Sequence, residues 1–172
     1  MKTIKGSARV LGDEVNTDVH CSSKYLPGRD AAYIATVAFD QVSPGFAKAF
    51  KKGDVLVAGK NFGINSSREQ AVHIMHQMGV AAIVAPSFGR QFFRNAINNG
   101  LAVIECDTSG MVTGDAIEID PVAGKVSVAS RNINRAVSPL PAAVQALLAA
   151  GGLIPFLQKH PDWNLGVKGR AA

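Results

Sequence analysis

The sequence predicts an α/β fold with a parallel β-α-β-α-β core, extended by a hairpin and C-terminal helices. Three observations carry this. Residues 54–105 alternate short β-rich apolar runs with longer amphipathic stretches, and Gly79 and Asn99-Gly100 stop the latter. Residues 116–129 switch to period-two alternation around Pro121 to Gly124, which marks a hairpin. Residues 142–159 return to helical spacing on either side of Gly151-Gly152. The chain has 172 residues, 47% apolar and 18% charged, so it holds ample core material and lacks a disordered composition. That length suits one domain, placed at residues 1–160, with 161–172 expected as a flexible tail.

In chain order, residues 4–11 read as a strand ending at Gly12. Residues 13–29 show no clear period and read as a functional loop region. Two short helical patterns follow at 31–39 and 44–50, with Ser43 at an N-cap position between them. Residues 54–58 form a strand after a Gly-Asp turn, and 59–65 a loop. A helix opens at Ser66 and runs to Met78; 80–85 is a strand, 88–98 a helix and 102–105 a strand. The hairpin pairs 116–119 with 125–129, and helices at 142–149 and 153–159 close the pattern.

Composition excludes several classes of function. The longest apolar run, residues 80–85, is far short of the ~20 residues that span a bilayer. The first residues carry no apolar h-region, so a reduced, cytoplasmic setting is expected. Cys21 and Cys106 belong to no Cys-x-x-Cys pair, and two thiolates cannot alone hold an iron–sulfur cluster or a four-cysteine zinc site. The net charge is +5, yet nine basic residues lie up to Lys60 and nine beyond it, with no basic-aromatic stripe of the nucleic-acid type. Such an excess suits an acidic small molecule or an acidic partner surface.

Chemistry concentrates between Gly59 and Glu69. A phosphate-binding loop is excluded by count, because five residues separate Gly53 from Gly59-Lys60 and Asn61 stands at the Ser/Thr position. Ser66 followed by Glu69 fits a capping box, and the helix start would favour a carboxylate or phosphate. Arg68 could add a two-pronged clamp and Ser67 a hydroxyl. Spacing alone leaves two readings open: a plain cap with a solvated arginine, or an anion site. His73 and His76 sit three apart without a third ligand, so no metal site is assigned. Phe88, Phe92 and Phe93 fall at core spacing.

Asn61-Phe62-Gly63-x-x-Ser66-Ser67-Arg68-Glu69, Ser87-Phe88-x-Arg90-x-Phe92-x-Arg94-Asn95 and Asn99-Gly100-Leu101 together resemble the swivel domain of the aconitase superfamily. Within it they are most similar to the separate small subunits of the 3-isopropylmalate dehydratase type. Asn16-Thr17-Asp18, Tyr25-Leu26, Lys51-Lys52-Gly53-Asp54 and Gly151-Gly152-Leu153 match the same pattern in the same order. The resemblance implies a swivelling β/β/α domain and a hydro-lyase that isomerises or dehydrates a hydroxy di- or tricarboxylic acid, as in leucine biosynthesis. It implies a large partner subunit carrying a [4Fe-4S] cluster, with none bound by this chain, and a possible homo-oligomer when the chain is alone. Carried over by position, Ser66 would be the base, Ser67 and Arg68 would hold a substrate carboxylate, and Asp18 and Glu69 would orient them. Arg29, three residues past Leu26, would meet a distal carboxylate; alternatively Pro27-Gly28 turns it to solvent or onto Asp30.

Departures from the family pattern cluster beside the expected base. Gly63-Ile64-Asn65 stands where the family commonly has Gly-Cys-Gly, Gln70 where it has His, and Gly89 where it has Ala. Two alternatives therefore stay beside the dehydratase reading. One is a homoaconitase- or aconitase-like small subunit, or a hydratase of another small dicarboxylate. The other is a non-catalytic anion-binding module.

Overall fold

Strand β1 (Ile4–Val10) is shared between the two halves of the sheet. Its first half, Ile4 to Ser7, pairs antiparallel with β5 (Ala116–Asp120), and its second half, Ala8 to Val10, pairs parallel with β2 (Val55–Val57). The computed structural model describes residues 1–22 and 30–162. Outward from β2 lie β3 (Ala82–Ala85) and β4 (Ala102–Glu105), both parallel. Outward from β5 lie β6 (Lys125–Val128) and β7 (Ile133–Ala136), both antiparallel. The strand order is β4-β3-β2-β1-β5-β6-β7. The expected β-α-β-α-β core and hairpin are present, and β7 extends the hairpin by a strand.

Burial explains the two styles. β2 and β3 are buried at every position, as continuous apolar strands covered on both faces must be. β5 and β6 alternate exposed with buried positions, the pattern of a half-covered antiparallel sheet. Helices α1 (Thr17–His20), α2 (Ala31–Ala35), α3 (Phe46–Ala49), α4 (Gln70–Met78) and α5 (Arg90–Asn98) lie in the connections from β1 to β4, and α6 (Ala142–Ala150) and α7 (Leu153–Lys159) follow β7. Ser43 is not the expected cap; its carbonyl accepts the Phe46 N–H, and Gly45 in left-handed backbone precedes α3. Among the described residues no single helix is long and apolar enough to cross a membrane. The expected tail at 161–172 lies almost wholly outside the described residues.

Two buried carboxylates, each paired with a partly exposed arginine, hold the strand junctions. Arg9 Nε lies 2.6 Å from Asp54 Oδ2, which also accepts the Lys51 N–H, locking β1 to the entrance of β2. Arg131 Nε reaches both oxygens of Asp115, at 2.7 and 2.6 Å, clasping the turn before β5 to the one after β6. The Val112 N–H and then Arg131 hold the Asp115 carboxyl below its ordinary value. A depressed carboxyl contributes stability above the unfolded pKa, and that contribution disappears as pH falls through the folded one. Asp115→Asn should therefore lower the melting temperature at pH 7, with the gap to the native chain closing as pH falls below the ordinary 3.8. Thermal melts across pH 2–8, on the order of one point per pH unit, check this.

Candidate functional site

The segments that leave β1 and β2 run side by side and deliver the site. Leu11 N–H bonds the Val57 carbonyl, Gly59 N–H that of Gly12, Glu14 N–H that of Lys60, and Gly63 N–H that of Val15, all at 2.7–3.0 Å. The Asp13 side chain accepts the Lys60 N–H at 2.7 Å. These bonds bring α1, at the end of one segment, against Ser66 to Arg68, at the end of the other. Asn16 caps α1 by accepting the Asp18 N–H, which fixes the orientation of Thr17 and Asp18.

Asp18 is the centre of the cluster. Its Oδ1 accepts the Ser66 hydroxyl at 3.1 Å, and its Oδ2 lies 3.4 Å from the Ser67 N–H and 3.3 Å from the Ser67 hydroxyl. Arg68 Nε stands 3.7 Å from the same Oδ2. Asp18 is 7% exposed and Ser66 2%, so a buried carboxylate is satisfied by donors from a neighbouring segment. Arg68 keeps 43% of its side chain exposed and Ser67 is also exposed, so the cluster has one open, cationic edge. Thr17, fully buried, donates its hydroxyl to Ser66 Oγ at 2.6 Å.

The expected capping box does not form. Helix α4 begins at Gln70, not Ser66, and residues 66–68 precede it in non-helical backbone. The Ser66 hydroxyl donates to Asp18, 48 residues away, and its oxygen accepts from Thr17 rather than from the N–H three residues on. Glu69 does not reach back either; its carboxylate accepts the Asn99 side chain at 2.6 Å.

The loop's shape rests on Phe62. It is fully buried, stacks edge-on with Phe92 at 5.2 Å, and forms an isolated parallel bridge with Phe88. Phe92 is thus core as expected, while Phe88 and Phe93 are partly buried against it. The Ser87 hydroxyl accepts the Asn61 N–H and donates to the Asn61 side chain, which steadies Asn61 in left-handed backbone. Gly63 also has positive φ, and a Cβ there would strike Phe92. Gly89 lies directly under the Gly63 carbonyl, where a Cβ would collide with backbone. Gly89 therefore lies against the backbone of Gly63 and Ile64.

Other expected residues fall outside this cluster. Arg29, with Tyr25 and Leu26, lies outside the described residues. His73 and His76 are exposed on α4 beside a groove of about 500 Å³, and His76 Nε2 lies 2.8 Å from the Asn99 carbonyl oxygen. Burial holds the His20 imidazole below its ordinary pKa, opposed by a hydrogen bond with Gln41. Cys21 is fully buried and its thiol is pushed far up by burial; Cys106 is pushed up to about 11. Among the described residues no three His, Cys, Asp or Glu side chains gather as a metal site. Sequence reading gave Thr17 no role of its own; its one signal was its place between Asn16 and Asp18.

Comparison with known proteins agrees with this fold. Residues 30–109 match the aconitase C-terminal domain. The 3-isopropylmalate dehydratase small subunit of Halothermothrix orenii is 41% identical over 153 residues, covering 88% of this chain and 93% of that one. The methanogen homoaconitase small subunit of Methanocaldococcus jannaschii is 40% identical, covering 91% and 92%. The crystal structure of a 3-isopropylmalate dehydratase from Methanocaldococcus jannaschii superposes with a TM-score of 0.85 at 39% identity, covering 93% of this chain and 96% of that one.

Because Gly89 and the Gly63 carbonyl occupy one space, Gly89→Ala should cost about 1–3 kcal/mol by overpacking. Chemical denaturation measures the loss. An unchanged midpoint would mean that the Ser66 loop yields freely.

Proposed function

This chain belongs to the family of 3-isopropylmalate dehydratase small subunits, and from that premise we propose that it completes a two-subunit hydro-lyase acting on a hydroxy dicarboxylic acid of the isopropylmalate type. The observation that carries the reading is the Asp18–Ser66–Ser67–Arg68 cluster, which holds a buried hydroxyl next to an exposed cationic edge. The small-subunit names of the relatives imply a large-subunit partner, and we assign it the [4Fe-4S] cluster. The described residues of this chain do not fit such a cluster, since Cys21 and Cys106 are the chain's two cysteines and both are buried. No step of this chain's share of the chemistry is routed through it.

That share is a proton. As its alkoxide, Ser66 Oγ takes it from the substrate carbon next to the one bearing the hydroxyl and becomes the hydroxyl seen here, and the reverse step regenerates the alkoxide. The C–H bond pair becomes the new double bond as hydroxide leaves the neighbouring carbon, and water addition runs the same path in reverse. Ser67 and Arg68 hold a substrate carboxylate at the open edge, where a planar guanidinium can clamp both oxygens. Asp18 orients Ser66 and Ser67, and Glu69 braces the start of α4 through Asn99. Arg29 meets the distal substituent. The homoaconitase small subunit among the relatives, together with this arginine, favours a tricarboxylate as the second reading.

The test is reconstitution with a cluster-bearing 3-isopropylmalate dehydratase large subunit. Ser66→Ala should lower kcat by about 10²–10⁴-fold with little change in KM, whereas Arg68→Lys should raise KM as well. Near-full activity of Ser66→Ala would leave the non-catalytic module standing. A separate measurement addresses substrate choice: Arg29→Leu should move kcat/KM toward isopropylmalate and away from a tricarboxylate. An unmoved ratio would remove Arg29 from specificity.

A further inference from the structure

The Ser66 oxygen has a second polar neighbour that faces away from the open edge. Thr17 is 0% exposed, and its Oγ1 lies 2.6 Å from Ser66 Oγ. A threonine on a helix often turns its hydroxyl back to a carbonyl on the preceding turn, but this one reaches across 49 residues. Direction follows from counting protons. Ser66 has one hydroxyl proton, and the Asp18 carboxylate at 3.1 Å can only accept. If Ser66 donated to Thr17 instead, Asp18 would lose a donor and the Thr17 proton would find no acceptor among the described residues. The order is therefore Thr17 to Ser66 to Asp18.

We propose that Thr17 is a positioning residue for Ser66: its hydroxyl aims the Ser66 proton at Asp18 and remains the donor on Ser66 Oγ once that proton is gone. The inference rests on the reading of Ser66 as the base. A deprotonated Ser66 oxygen would face the Asp18 carboxylate across hydrogen-bond distance, a repulsion that needs a donor on the oxygen's other side. Thr17 is already there, buried and held by the cap of α1, so no reorganisation is needed when charge develops. The side chain is fully buried, and valine, of nearly the same shape, is the substitution that removes the donor.

The experiment uses the complex reconstituted with the cluster-bearing large subunit. Thr17→Val should lower kcat about 10²-fold while KM stays within about 2-fold. Thr17→Ser, which keeps the hydroxyl, should recover activity to within about 5-fold of native. In a Ser66→Ala background Thr17→Val should cost nothing further, because its effect passes through that oxygen. Native-like kcat in Thr17→Val, or an equal loss in Thr17→Val and Thr17→Ser accompanied by a lower melting temperature, would overturn the assignment. If Ser66→Ala itself retained activity, the base reading would fail. If Ser66→Ala lost activity and Thr17→Val did not, only the role of Thr17 would fail.

Discussion

A buried carboxylate must find donors, and in this protein Asp18 finds them on a different segment of chain. The need is local, but its solution is tertiary: Ser66, Ser67 and Arg68 are drawn to α1 instead of being wound into α4. An isolated buried anion would cost several kcal/mol, so the cluster is cohesive as well as chemical. Hydroxyls and a backbone amide supply its short contacts, and the arginine stands farther off with much of its surface in solvent. The anion is thus satisfied without spending the guanidinium, which stays available at the edge where a substrate carboxylate would arrive.

The sheet makes this meeting possible. β1 and β2 are parallel neighbours, so the chain leaves both at the same end, where doubly wound sheets place their ligands. The two exits are then tied by alternating backbone bonds, and Phe62 pins the second to the aromatic core. Gly89 shows how closely the pieces fit. The absence of its Cβ is what lets the Gly63 carbonyl sit where it does. Ser66 follows three residues on from that carbonyl, so the fit at Gly89 bears on where Ser66 sits.

Much of this was legible in the residues. The parallel core could be read because its strands are continuous apolar runs separated by well-marked helix stops, and the hairpin because its faces alternate. β7 was missed because Ile133-Asn134-Arg135-Ala136 alternates too weakly to stand out as a strand on its own. The capping box failed for a physical reason: its rule counts neighbours along the chain, while the partners of Ser66 lie 48 and 49 residues away. Thr17 was invisible for the same reason. Its hydroxyl gains meaning only from the oxygen it touches, and no spacing along one segment encodes a contact between two.

The placement of β1 has a consequence for how the chain is made. The strand shared by both halves of the sheet leaves the ribosome before either of its partners. β2 begins 45 residues after the last residue of β1, and β5 begins more than a hundred residues after it. At about 5–20 residues per second, β1 waits roughly 2–9 s for its parallel partner and a little over twice as long for its antiparallel one. Through that interval it offers two open edges, the geometry that invites pairing with another chain. Gly6, Arg9 and Lys5 within the strand, a breaker and two charges, then act as protection for a nascent chain whose centre is synthesised first.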